Sequence, residues 1–134
     1  CIIIVMEKSW VKKIAPAFED ARGLIADVFD GENIRHIGFI TSKQGTTRGN
    51  HYHKKARQYT FILKGKVKWF IKDMSVENAP LEEQVLVPGD LAFDAPLIAH
   101  AMLALEDTEF IFFTDEVRTD DGYEKDTFRV KISS

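Results

Sequence analysis

The sequence predicts an all-β fold, a barrel or a sandwich of short strands. Three observations carry this. Apolar residues alternate with polar ones at a period of two through most of the chain. Turn signals separate these short runs at regular spacing. No stretch shows a long apolar period of 3.6.

The elements follow in order. CIIIV, at the start, reads as a short edge strand. Glu7 to Ile14 is the best helix candidate, one or two turns at most. Asp27 and Asp30 flank Val28-Phe29 ahead of Gly31 and read as a hairpin turn. His36 reads as exposed, ahead of a strand over Ile37 to Thr41, and Lys43-Gln44-Gly45 is a turn. Gln58 to Leu63 is a strand, closed by Lys64-Gly65-Lys66, where glycine can take a positive φ. Val67 to Asp73 puts Val67, Trp69 and Ile71 on one face. A polar connection with Pro80 leads to Glu83 to Val87. Pro88-Gly89 is a type II turn signal, with glycine at the second central position. Leu91 to Phe93, His100 to Leu105 and Glu109 to Phe113 complete the strands, and Asp120-Asp121-Gly122 is a further turn.

The 134 residues match one ordinary domain. No repeat, linker or boundary divides residues 1–134, and the core is expected at about 37–114. Hydrophobic residues make up 45% and charged ones 29%, a globular balance. The 18 basic and 21 acidic residues give a net charge of −3, which offers no global attraction to nucleic acid. The single cysteine, Cys1, excludes an intrachain disulfide and a cysteine-rich zinc module, and fits a reducing, cytoplasmic setting. CIIIVM is too short for a signal core or a membrane span. The first residue is not Met, which leaves room for further N-terminal residues.

Two strands are apolar on both faces: Tyr59 to Leu63, and Phe110 to Phe113. A small barrel has one interior, so a second sheet or a second subunit must cover the outside. A homodimer is the expectation.

The stretch GTTRGNHYHKKARQYTFILKG, Gly45 to Gly65, carries the chemistry. On a regular strand His51 and His53 share a face and Tyr52 points away, to packing. After a bend at Lys54-Lys55-Ala56-Arg57, Gln58 can join the same inward face as Thr60 and Ile62. His100 opens a later strand behind an apolar approach. Arg48, Lys54, Lys55 and Arg57 form a charge run, either a solvated hairpin end or a grip on phosphate. Trp69 reads as core or interface packing. Tyr123 reads as a surface or dimer contact.

These residues resemble the cupins, small double-stranded β-helix (jelly-roll) proteins. The first cupin motif is Gly, five residues, His-x-His, three or four residues, Glu, six residues, Gly. Gly45, His51, His53 and Gly65 keep that spacing, with Gln58 in the glutamate position. The second motif is partly kept, with Gly89 and His100 in place and Ala104 where the family has Asn. The resemblance covers about Phe39 to Thr114. In metal-binding cupins these positions hold the ion, which here implies His51, His53, Gln58 and His100. Three imidazoles suit one divalent transition metal, such as Zn, Fe, Ni or Mn. Gln58 contributes no charge, so affinity falls; the alternative is a metal-free cavity.

TRGNHYHKK is also similar to the RGxHxHK signature of cupins in nucleotide-sugar pathways. These include dTDP-4-keto-6-deoxyhexose 3,4-ketoisomerases, 3,5-epimerase relatives and cupin domains of capsular-polysaccharide enzymes. The resemblance implies an isomerase or epimerase in which His51 and His53 move protons, with Arg48, Lys54, Arg57 and Gln58 on the substrate. Arg57 stands where the ketoisomerases have histidine. The partner is then a nucleotide-sugar or sugar, with no nucleic acid and no membrane. The competing readings are a metal-dependent cupin enzyme of another class and a sugar-binding cupin without turnover.

Overall fold

A computed structural model describes residues 2–3, 9–117 and 125–133. Two antiparallel sheets face each other. The first contains β1 (Ile2–Ile3), β2 (Trp10–Lys13), β5 (His36–Ser42), β7 (Gln58–Lys64), β10 (Asp90–Asp94) and β12 (Thr108–Thr114), in the order β1-β2-β10-β7-β12-β5. The second contains β6 (Thr47–Tyr52), β8 (Val67–Asp73), β9 (Glu82–Leu86), β11 (Ile98–Ala104) and β13 (Phe128–Arg129), in the order β13-β6-β11-β8-β9. A separate hairpin joins β3 (Phe18–Asp20) to β4 (Gly23–Ile25). From β5 to β12 the chain crosses between the two sheets at every step except the β8–β9 hairpin, which stays in the second sheet; this is a jelly roll. No helix among the described residues is long and apolar enough to cross a membrane.

The core lies between the sheets. Ile62 from the first sheet and Val67, Trp69 and Ile71 from the second are fully buried there. Trp69 donates from Nε1 to Asp94 Oδ1 at 2.9 Å, so its indole packs in the core with its one polar atom satisfied. The Pro88-Gly89 turn forms as expected: Gly89 has φ 93° and Asp90 N donates to Val87 O at 3.0 Å.

Three expectations change. The helix over Glu7 to Ile14 is replaced, from Trp10, by strand β2. Its residues pair with β10 from Phe93↔Trp10 to Asp90↔Lys13, and that ladder outweighs a helix of one or two turns. Asp27 and Asp30 do not make a hairpin turn; the hairpin lies earlier, at Asp20 to Gly23, and residues 26–35 form an irregular connection. His36 is half-buried, with its ring edge-on to Phe112 at 5.2 Å. The Asp120-Asp121-Gly122 turn and Tyr123 lie outside the described residues.

The outer face of the first sheet carries a row at one register: Trp10, Phe93, Tyr59, Phe113, then Ile37. Phe29, from the irregular connection, caps the row with edge contacts to Tyr59 at 4.8 Å and Phe113 at 4.7 Å. The chain's own loop thus covers half of a face that the sequence assigns to a second sheet or subunit. The other half stays open: Ile37 is 62% exposed and Phe39 60%.

Candidate functional site

Between the sheets, near the ends of β6, β7 and β11, lies a cavity of about 200 Å³. Arg48, His51, Gln58, Thr60, His100 and Met102 line it, closed by Ile40, Phe110 and Phe112. The polar members come from three strands, and register explains how they meet. On β7, Gln58 and Thr60 alternate inward together. On β11, His100 and Met102 do the same.

On β6 a simple alternation fails, because Arg48 and His51 are three residues apart. The ladder shows the reason. Arg48 pairs with Met102 and His51 with His100, so two steps on β11 face three on β6. Asn50 is the extra residue of a β-bulge. Gly49 and Asn50 both take positive φ, 98° and 56°. A Cβ on Gly49 would sit 2.7 Å from His100 O. Asn50 Oδ1 accepts from the backbone N–H of Ile132 at 2.9 Å and Ser133 at 3.1 Å.

The three imidazoles form a triangle. Ring centroids are 4.7 Å apart for His51–His100, 5.0 Å for His51–His53 and 5.6 Å for His53–His100. His53, just past β6, is 2% exposed and lies behind the cavity wall, whereas His51 and His100 line it. His53 Nδ1 lies 3.0 Å from Asp126 O, and His100 Nδ1 lies 3.4 Å from Ile98 O. A carbonyl only accepts, so these contacts put the ring proton of neutral His53 and His100 on Nδ1. Nε2 remains to face a ligand. His100 Nε2, Thr60 Oγ1 and Asp94 Oδ2 are buried without a hydrogen-bond partner among the described residues.

Asp94 was not singled out from sequence. It is 1% exposed, and its Oδ2 lies 3.9 Å from His100 Nδ1. Burial pushes its carboxyl up to about 7, against the Trp69 hydrogen bond and the charge of His53, which favour the anion. Burial, followed by the charge of His53, pushes His100 down to about 3. Between about pH 3 and 7 the two are therefore an uncharged acid and an uncharged imidazole, not an ion pair. Burial, then His100, His53 and Arg129, pushes His51 down to about 3.

Lys54, Arg57 and Tyr52 lie elsewhere. Lys54 Nζ sits 4.4 Å over the Phe128 ring, and the Arg57 guanidinium 4.7 Å over Phe93. Neither lines the cavity. Tyr52 faces away from the histidines and stacks on Phe128 at 5.4 Å. Arg48 donates to Ser42 Oγ at 2.8 Å and Thr41 O at 2.9 Å. It also lines a second, open pocket of about 620 Å³ with Lys43, Lys64, Thr46 and Thr47.

Residues 18–128 match the family described as polysaccharide biosynthesis C-terminal domain. The chain belongs to this family. No curated protein matches it. Among solved structures, a variant of the 3,4-ketoisomerase QdtA from Thermoanaerobacterium thermosaccharolyticum, in complex with TDP-4-keto-6-deoxyglucose, is 21% identical, with a TM-score of 0.75 over 92% of this chain and 88% of that one. The dTDP-6-deoxy-D-glucose-3,5-epimerase RmlC from Legionella pneumophila, with dTDP-4-keto-L-rhamnose, is 15% identical, with a TM-score of 0.78 over 98% and 79%. The 3'-monoepimerase ChmJ from Streptomyces bikiniensis, with dTDP-quinovose, is 16% identical, with a TM-score of 0.80 over 96% and 72%. These likenesses establish the cupin-like jelly roll.

The donor set also fits a metal. One nitrogen from each of His51, His53 and His100 lies within 4.8 Å of the others, and Gln58 lines the same cavity. With Nδ1 of two histidines already turned to carbonyls, Nε2 is the nitrogen available to an ion.

Proposed function

We propose that this chain, read as one cupin domain over residues 1–134, is an isomerase or epimerase of a nucleotide-linked keto-sugar. The observation that carries the reading is the convergence of His51, His100, Gln58 and Arg48 on one small, half-apolar cavity. Its volume is below the about 300–1,000 Å³ of drug-sized sites and suits a single sugar ring. Arg48 stands between that cavity and the pocket with Lys43 and Lys64, where a diphosphate would meet its fork of donors. The likeness to structures holding dTDP-linked sugars supports this substrate class.

The chemistry follows from the substrate. A 4-keto sugar has an acidic hydrogen at C3. A base takes that proton, the C3–H electrons form the C3–C4 double bond, and the carbonyl oxygen gains a proton, giving an enediol. A proton returned at C4, with one lost from the C3 hydroxyl, moves the ketone to C3. A proton returned at C3 from the other face, with the one on the C4 oxygen lost, restores the C4 ketone with C3 inverted.

His51 is the base in this reading, because it lines the cavity and is neutral at pH 7. A base held near 3 is weak in the free protein. The negative charge of a bound diphosphate or a developing enolate would favour its protonated form, opposing the effect of burial and raising its basicity when it is needed. His53, behind His51, is placed to pass the proton on. His100, with Asp94 at its back, faces the oxygen side of the reaction.

Two further parts belong to the proposal. The open outer face around Ile37 and Phe39 supports a homodimer. The lone cysteine supports a cytoplasmic setting.

A second reading is favoured by the histidine triangle itself: a metal-dependent cupin enzyme of another class. Its ligands would be His51, His53, His100 and Gln58, and a bound ion would supply Lewis-acid polarisation of a carbonyl.

The test is turnover of 4-keto nucleotide-sugars, assayed for a 3-keto or C3-inverted product. The proposal expects His51→Asn to lose at least about 100-fold in kcat, the scale of a general base, while still binding the nucleotide-sugar. Binding without turnover in the parent chain would leave a sugar-binding cupin.

A further inference from the structure

The loop between His53 and Gln58 is held by one residue 70 positions away. Asp126 Oδ1 accepts from Lys54 N at 2.9 Å and Lys55 N at 3.2 Å; its Oδ2 accepts from Lys55 N at 3.1 Å and Ala56 N at 2.9 Å. Three successive backbone N–H groups thus converge on a single carboxylate, an arrangement that makes an anion-binding concavity. The backbone carbonyl of the same residue faces His53 Nδ1 at 3.0 Å. One residue therefore grips the loop on one side and the imidazole on the other.

The surrounding contacts act in the same sense. His53 O accepts from Leu97 N at 2.7 Å, and Leu97 has a φ of 68°. That strained residue directly precedes β11, the strand of His100. Beyond Asp126, β13 pairs with β6, setting Phe128 against Tyr52 and Arg129 against His51. Asn50, the bulge residue, ties down the next stretch through Ile132 and Ser133. The C-terminal segment is fastened along Asn50 to Tyr52, the half of β6 that carries His51.

We propose that Asp126 is a positioning residue for the site: its carboxylate anchors the segment so that its carbonyl holds His53 with the proton on Nδ1 and Nε2 unprotonated. Nδ1–H is the less favoured form of a free imidazole, so it needs a fixed acceptor. The carboxylate supplies the fixing and the carbonyl the acceptor. An outer partner that orients a histidine in this way typically carries 10- to 100-fold in activity or metal affinity. The inference concerns His53 itself and does not depend on which reaction the site performs.

Long-range ¹H–¹⁵N spectra of the imidazole rings, at a pH where all are neutral, test it directly. The parent protein should show His53 with a protonated Nδ1. Asp126→Ala should turn that pattern into a mixture of both ring forms, with His51 and His100 unchanged. Asp126→Asn keeps one acceptor oxygen and should fall between them. A keto-sugar turnover assay should show kcat down about 10- to 100-fold with KM little changed. The ring spectra need no turnover, so failure of the isomerase reading would leave them standing as the test. A parent His53 with its proton on Nε2 would overturn the proposal, and so would an unchanged ring pattern in Asp126→Ala. If Asp126→Ala does not fold, the parent spectrum and Asp126→Asn decide in the same way.

Discussion

Arg48 and His51 face the same cavity although they are three positions apart, because Asn50 bulges out of β6. A regular strand would send Arg48 to the opposite face. The bulge therefore sets a guanidinium and an imidazole on one cavity, and Gly49 makes the bulge sterically feasible.

Gly49→Ala should be costly. The substitution meets both a left-handed φ of 98° and the His100 carbonyl 2.7 Å away. The expected loss exceeds the about 1–3 kcal/mol of backbone strain alone. Gly45→Ala, at φ 86° with nothing near its Cβ, should show the strain cost only. Urea unfolding of the two variants separates the terms, and His100 chemical shifts should move only in the first.

Asp94 gives stability a pH dependence of defined sign. Its carboxyl is raised from 3.8 to about 7, so its contribution is complete below about pH 4 and is lost as pH rises to 7. His51 and His100, lowered to about 3, work the other way: their contribution is complete above the ordinary histidine range and is lost as pH falls. Asp94→Asn keeps an acceptor for Trp69 and removes the buried ionisation. It should gain on the parent protein between pH 5 and 8, by about 1.4 kcal/mol per tenfold of proton affinity no longer opposed. Urea midpoints at the two pH values check this. A gap that narrows towards pH 8 would contradict the assignment.

Gln58→Glu should raise divalent-metal affinity. The carboxylate restores a charge among three imidazoles that lie close enough to share an ion. Zinc titration calorimetry should show at least about a tenfold tighter site, with protons released on binding. Elemental analysis of the untagged parent protein places the natural state. Near-stoichiometric metal lost in His51→Ala would support the metal-dependent reading.

Ile37→Glu with Phe39→Glu should break the proposed dimer. Both residues are more than half exposed on the sheet's outer face, so charges there cost little in the monomer. Sedimentation should show a dimer for the parent chain and a monomer for the variant. A monomeric parent would contradict the assignment of that face.

Much of this molecule is legible in its sequence. Strands β5, β7, β8, β9, β10, β11 and β12 follow from period-two alternation or, as at Phe110 to Phe113, a short apolar run, set between turn residues, because local sterics and burial both act there. Gln58 and Thr60 reach the cavity as their parity requires. What local pattern does not encode is missing. The pairing of Trp10 to Lys13 with β10 is a contact across some 80 residues, and it turns a helix expectation into a strand. The Asn50 bulge is one inserted residue with no periodic signature. Asp94 carries no local signal, because its partner Trp69 lies 25 positions away across the core. Asp126 lies 70 residues from the loop it holds.

The most direct test of the central claim is solvent exchange. The protein, in deuterated water, is given TDP-4-keto-6-deoxyglucose, and the C3 proton is followed by NMR. The C3 signal should be lost on mixing with the parent protein and retained with His51→Asn. A C3 proton that persists in the presence of bound substrate and parent protein would contradict that claim.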